Sequence, residues 1–274
     1  MLSVNNNPGA LVALQNLTAT AADLQKTQTE VSTGLAVGTP QDNGAVWAIA
    51  QSERGTASSL DAVIQSLQRG QSTIQVATSA GTSVSNLLNQ LKTLALAASD
   101  PSLDPTSQAA DNAQFRSILT QITQIVTNSD FNGVNMIKNA GTNIMALATA
   151  TGSQITVLAQ DLSLGHANMG AVSANASIGT TALATAMVAS VNTAITKVNS
   201  ALGNLGNGAT ALQNQLTFVQ DLQDTLDTGI GNLVNANLGK ESAQLTALQT
   251  KQQLGIQALS IANQSSAALL SLFR

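Results

Sequence analysis

Apolar residues recur every seven positions along most of this chain, and that repeat constrains the fold more than any other feature. A seven-residue spacing draws one line down a helix and requires a partner helix to cover it. Leu60, Leu67, Ile74, Gly81, Leu88 and Ala95 form such a line, with Val63, Gly70, Ala77, Val84, Leu91 and Ala98 beside it. Two of these seam positions are glycine, each costing about 1 kcal/mol of helix propensity, so a neighbour is expected to approach closely there. Further on, Ala184, Val191, Val198, Leu205, Leu212, Val219, Leu226 and Leu233 keep one phase without interruption. Glycines at 203, 206 and 208 sit inside this run. A loop would reset the phase, and the phase does not reset, so one long helix is predicted through them.

The two ends carry the same signal. Asn7-Pro8 reads as an N-cap followed by proline at the first helical position. The helix it opens is predicted to run to about Thr33, with Gly34 as its C-cap. Ala10, Leu17, Leu24 and Val31 form one line of it, and Leu14, Ala21 and Leu35 a second. After Leu233 the strong line shifts to Leu238, Leu245, Leu259 and Phe273, flanked by Leu248, Ala262 and Leu269. The shift predicts a joint near 229–238. A lone pair of terminal helices with so few large side chains buries little, and is expected to order when neighbours cover it.

The segments between are read from their turn residues. Residues 34–56 lose the repeat and read as an irregular connector leading into a helix. Asp100-Pro101 through Asp104-Pro105 reads as a turn, with Asp104 capping a helix that carries Phe115, Ile118, Leu119, Ile122, Ile125 and Val126 on one face. Asn132-Gly133 is a hairpin-turn signal. Residues 143–149 and 154–160 are rich in strand formers around Gly152, predicting a second hairpin. Residues 165–182, rich in Gly, Ser, Ala and Thr, read as an exposed loop. The fold class is therefore mainly α: a long, coiled-coil-like antiparallel bundle with a small β-hairpin region in the middle.

Composition excludes several functions. The net charge of −4 opposes a phosphate-neutralising surface, so no nucleic acid partner is expected. The absence of Cys removes disulfides and thiolate metal sites. No stretch of about 20 apolar residues occurs, so no membrane insertion is expected. Met1 to Leu17 lacks a basic region and an unbroken apolar block, which argues against a cleaved signal peptide. The single histidine, His166, lies in a Gly/Ala loop with no acidic cluster beyond Asp161 and reads as a solvated residue. The acids scatter without paired-carboxylate spacing, and the 203–208 glycines lack the context of a phosphate loop. Neither an enzyme nor a bound cofactor or metal is expected.

Several blocks together resemble the bacterial flagellin family. They are Val31-Ser32-Thr33-Gly34-Leu35 with Asp42-Asn43 and Ala48-Ile49-Ala50, the turn Phe131-Asn132-Gly133-Val134, and the run from Leu248-Gln249-Thr250-Lys251 through Ile256-Gln257-Ala258-Leu259 to Phe273-Arg274. The detail is most similar to the short alphaproteobacterial, Caulobacter-type, flagellins. The resemblance implies a self-polymerising subunit of a secreted, extracellular filament for swimming motility. It implies that residues 1–33 and 238–274 line an inner tube through Leu14, Leu17, Leu24, Val31, Leu238, Leu245, Leu248, Leu259, Leu269 and Phe273. Residues 34–237 would form an outer bundle with 130–180 outermost. The seam of that bundle would be Leu60, Leu67, Ile74, Leu88, Leu91, Leu205, Leu212, Val219 and Leu226, with the turn at Asn132 and Gly133. Implied partners are other copies of itself, hook-junction and filament-cap proteins, an export chaperone, the type III export apparatus and an O-glycosylation machinery acting on Ser/Thr between 140 and 185. Asn89–Ala95 aligns with the stretch an animal innate receptor reads in other flagellins. Gln90 and Thr93 stand at its charged positions, so weak activation is expected. The alternatives are a hook–filament junction protein of the same family and a non-polymerising helical-bundle adaptor.

Overall fold

A computed structural model describes residues 7–271, with side-chain surroundings for residues 7–264. The order of elements is α1 (Pro8–Thr33), α2 (Gly44–Ala97), α3 (Pro105–Asn128), β1 (Ile144–Leu147), β2 (Gln154–Val157), α4 (Thr181–Val234) and α5 (Leu238–Ser271). The chain divides into two compact units. One is Met1–Gly55 with Thr225–Arg274, and the other is Thr56–Asp224.

In the first unit α1 and α5 pair antiparallel. The Asn7 side chain accepts from Ala10 N–H at 3.1 Å, capping α1, and donates to the Ala262 carbonyl at 2.8 Å, fastening the start of α1 to the far part of α5. At the other end Gly34 has φ 72°, and its N–H closes α1 on the Glu30 carbonyl at 2.9 Å. Ala236 N–H then donates to the Gly34 carbonyl at 2.8 Å, which brings in the start of α5. Beside this joint Ala50, Ile230 and Val234 are buried, with Leu35 and Val37 packed on them.

The covered line of α1 differs in part from the expected one. Ala10, Leu17, Leu24 and Val31 are half-buried, but their companions are Ala13, Thr20 and Thr27, while Leu14 is exposed. Threonine can occupy a seam because its hydroxyl bonds back to the preceding turn, as Thr20 does to the Asn16 carbonyl at 2.8 Å. On α5 the least exposed positions are Glu241, Leu245, Leu248, Gln252, Gly255, Leu259 and Ala262, at alternating spacings of three and four, while Leu238 is exposed. Gly255 makes room for its partner, since a Cβ there would meet the Leu17 Cδ1 at 3.2 Å.

In the second unit α2, α3 and α4 share a core. Leu60, Leu67, Ile74, Val84, Leu88 and Leu91 of α2 are buried, as are Val191, Val198, Leu205, Leu212 and Val219 of α4. Helix α4 runs unbroken through its glycines. Near its end the seven-residue line fails: Leu233 is exposed, and Ile230 and Val234 are buried instead. A straight helix drifts from a strict seven-residue spacing by about 20° per heptad, which moves the covered stripe round the helix.

The hairpin pairs Ile144 with Val157 and Leu147 with Gln154 in antiparallel register. It rests in notches made by glycine. A Cβ at Gly70 would come 3.3 Å from the Ile144 Cγ2 and 2.9 Å from the Leu212 Cδ1, and one at Gly208 would collide with Val157. The turn at Asn132 and Gly133 has φ 52° and 78°, as a two-residue hairpin turn requires. It closes only the single bridge between Phe131 and Val134, so no ladder follows. The chain is diverted by buried Asn135, whose amide donates to the Val126 carbonyl at 2.8 Å and whose oxygen accepts from Ile137 N–H at 2.9 Å. The segment 165–182, expected to be exposed throughout, buries Met169, Val172 and Ile178 completely.

Candidate assembly surface

Two helices facing only each other would carry polar residues on the rest of their surface. The α1–α5 pair carries large apolar residues among its exposed polar ones. Leu11, Val12 and Leu14 of α1 are 64%, 57% and 52% exposed, and Leu254, Ile256 and Ile261 of α5 are 59%, 55% and 68% exposed. At about 100° per residue, these residues fall on two flanks of the pair. On one flank Val12 and Leu254 line a groove of about 650 Å³ together with Gly9, Asn16 and Ala258, and Asp23 and Lys251 supply its charge. On the other flank stand Leu11, Leu14 and Ile256. Concentrated apolar exposure of this kind marks a surface that another molecule covers.

The residues expected to drive assembly are distributed over this ribbon unevenly. Leu17, Leu24 and Val31 on α1, and Leu245, Leu248 and Leu259 on α5, lie in or beside the intramolecular seam. Leu14 and Leu238 face outward. Leu269 falls where only backbone is described, and Phe273 lies outside the described residues. The bundle residues Leu60, Leu67, Ile74, Leu88, Leu91, Leu205, Leu212 and Val219 are buried in the second unit, and Leu226 is half-buried in the first. Sequence reasoning missed Leu11, Val12, Leu254, Ile256 and Ile261. Their signal was available: they are large apolar residues that fit neither heptad line.

Charge at the ribbon is sparse. Lys26 Nζ lies 3.8 Å from Glu30 Oε1. Burial first, and the neighbouring charge of Glu241 next, push the Glu30 carboxyl above the usual carboxylate range, with Lys26 acting against them. Asp42, in the α1–α2 connection, accepts from the Gly38 and Thr39 N–H groups and the Thr39 hydroxyl at 2.9–3.1 Å, which holds its carboxyl below the usual range. Among the described residues no group of three or more His, Cys, Asp or Glu could hold a metal, and no helix is long and apolar enough to cross a membrane.

The comparisons with known proteins agree with this architecture. Residues 4–142 match the family model of the bacterial flagellin N-terminal helical region, and residues 188–273 that of the C-terminal helical region. Flagellin FljM of Caulobacter vibrioides is 50% identical over 272 residues, covering 99% of this chain and 98% of that protein. FljO of the same organism is 49% identical over the same coverage, and a flagellin of Brucella melitensis is 33% identical over the full length of both. The crystal structure of Bacillus cereus flagellin is similar in fold, with a TM-score of 0.50 and 22% identity over 55% of this chain and 86% of that one. The chain belongs to the bacterial flagellin family.

Proposed function

We infer that this chain is the structural subunit of an extracellular flagellar filament, and that it polymerises by burying both flanks of its α1–α5 ribbon between neighbouring copies. The observation that carries the mechanism is apolar exposure on two flanks of one helix pair. A single neighbour covers one flank and leaves the other bare. The flanks also differ in residues, Val12 with Leu254 on one and Leu11 with Leu14 on the other, so a contact of one with the other is heterologous. Heterologous contacts that do not close into a ring generate an open helix.

On this reading residues 1–33 and 238–274 line the inner tube. Residues 34–237 form the surrounding layer, with 130–180 outermost. Hook-junction and filament-cap proteins bind the same terminal helices at the two ends of the polymer. An export chaperone and the type III export apparatus handle the subunit before assembly, and exposed Ser/Thr between 140 and 185 are the substrates of O-glycosylation. The 50% identity to flagellin FljM over 99% of this chain favours a filament subunit over a junction protein. The test is to add short filament seeds to purified monomer and follow growth by electron microscopy. Elongation supports the subunit; persistent monomer across several salt and pH conditions refutes it. Removal of residues 260–274 is expected to abolish growth while leaving most helical circular dichroism intact.

A further inference from the structure

The dipeptide Asn-Gly occurs three times, at 43–44, 132–133 and 207–208, and the asparagine is exposed each time. Such a pair can modify itself. The glycine nitrogen, with no Cβ beside it, attacks the asparagine side-chain carbonyl carbon when the backbone turns to bring the two together. The local chemistry is the same in all three pairs, so their surroundings decide which one reacts.

Two of the three are held. Asn43 caps α2: its side-chain oxygen accepts from Val46 N–H at 3.1 Å and its carbonyl from Trp47 N–H at 2.9 Å. The cap ties the Asn43 side chain to the first turn of the helix. Asn207 lies inside α4, where each N–H is bonded to the carbonyl four residues back. The hairpin also leans on this point, since a Cβ at Gly208 would collide with Val157. Attack at Asn207 therefore requires the helix to open.

Asn132 is not held. Among the described residues no protein group bonds its side chain or the Gly133 N–H. Nothing lies within 4 Å of where a Gly133 Cβ would be, so the nitrogen has open space around it. Asn132 keeps a left-handed backbone at φ 52°. The turn is closed by the Phe131–Val134 bridge, with two bonds of 3.0 Å and no ladder behind them. Rotation of the Asn132 backbone disturbs that bridge and no helix.

We propose that Asn132 is a self-modification site, which deamidates in the folded protein while Asn43 and Asn207 stay intact. The Gly133 nitrogen gives its proton to solvent and bonds to the Asn132 Cγ, the Cγ–Nδ2 bond breaks, and ammonia leaves. Water then opens the resulting cyclic imide at either carbonyl, giving aspartate or isoaspartate. One water is consumed and one ammonia released, with no oxidation or reduction. Both products place a carboxylate where a neutral amide stood, at a notch of about 230 Å³ that Asn132 lines with Arg69 and Met145. Isoaspartate also adds a backbone carbon between Phe131 and Val134, so the turn no longer spans its bridge. The site belongs to one chain and does not depend on the filament reading.

The test incubates the full-length folded chain in mildly alkaline buffer. Peptide mapping by mass spectrometry follows amide-to-acid conversion at each asparagine, and an isoaspartyl methyltransferase with a labelled methyl donor counts isoaspartate. Conversion at Asn132 should be at least about tenfold faster than at Asn207, whose reaction waits on local opening of a core helix, and should also outpace Asn43. In urea the three rates should converge. Asn132→Gln, whose longer side chain cannot form the same ring, should remove the isoaspartate signal and leave helical circular dichroism unchanged. The isoaspartate form, separated by charge, should lose exchange protection at the Phe131 and Val134 amides. Equal rates at the three sites in the folded chain, or a preference for Asn132 that persists in urea, would overturn the proposal.

Discussion

Replacing Leu11 and Leu14 together by glutamine separates assembly from folding. Glutamine has nearly the helix propensity of leucine, so α1 itself is little affected. Both side chains are already more than half exposed, at 64% and 52%, and substitutions at such positions change the stability of the single chain by about 0.5 kcal/mol or less. Burying a leucine completely is worth about 1.5–3 kcal/mol. Scaled by the fraction each still exposes, the two forgo about 2–3.5 kcal/mol of contact energy when a neighbour covers that flank. At a factor of ten per 1.4 kcal/mol, the critical concentration for seeded growth should rise about 20- to 300-fold. Sedimentation of polymer from monomer, over a dilution series seeded with parent filaments, measures it directly. The melting of the monomer, followed by circular dichroism, should shift little. A critical concentration unchanged within a factor of two would refute the assignment of Leu11 and Leu14 to an intersubunit contact. A loss of monomer helicity equal to the loss of assembly would refute the claim that they are free of the intramolecular seam.

The α4 glycines should respond in opposite directions. Gly203→Ala, with nothing within 4 Å of its Cβ, should stabilise by about 0.5–1 kcal/mol, while Gly208→Val, which collides with Val157, should destabilise by about 1–3 kcal/mol; urea unfolding reads both. Asn7→Ala removes the α1 cap and the bond to Ala262, and should cost about 1–2 kcal/mol, seen as faster amide exchange in the first turns of α1. Hydrogen bonds from the Ser107 hydroxyl, then from the Ser107 and Thr106 N–H groups, hold Asp104 below the usual carboxylate range. Its stabilising effect is full above 3.8 and is lost as pH falls through the lowered value. Asp104→Asn should therefore flatten part of the acid-side decline in melting temperature. A reporter-cell assay of the innate receptor should give a weak response. Leu88, Leu91 and Ala95 are buried, and Lys92 is the one charged residue among the exposed positions of Asn89–Ala95.

Where the fold was legible, spacing carried the information. The α2 lines and most of the α4 line were readable because the buried residues are large and aliphatic and keep one phase. The continuity of α4 was readable despite its glycines for the same reason. Gly203 and Gly206 face open space, so they remove nothing from the core, and Gly208 faces the hairpin instead. The α1 seam was only half legible. Leu14 is more apolar than Thr20 or Thr27, so apolarity alone points to the wrong companion line. The true line uses small residues, and its polarity is hidden by a hydroxyl bonded one turn back. The segment 165–182 misled by average composition. Its only large apolar residues are Met169, Val172 and Ile178, and all three are completely buried. The turn at Asn132 was correct locally, but a hairpin needs partners beyond the turn, and Asn135 redirects the chain before a second pair forms. On the candidate surface, heptad reasoning found residues that hold the ribbon together and missed most of those that face outward, because a repeat reports only the most covered stripe.

In the proposed filament, neighbouring copies cover both flanks of the α1–α5 ribbon. Cryo-electron microscopy of filaments grown from this chain tests it most directly. Leu11, Val12, Leu14, Leu254, Ile256 and Ile261 should be buried between subunits, with unlike flanks in contact. Filaments in which either flank faces solvent, or in which α1 and α5 of one subunit are separated, would contradict it.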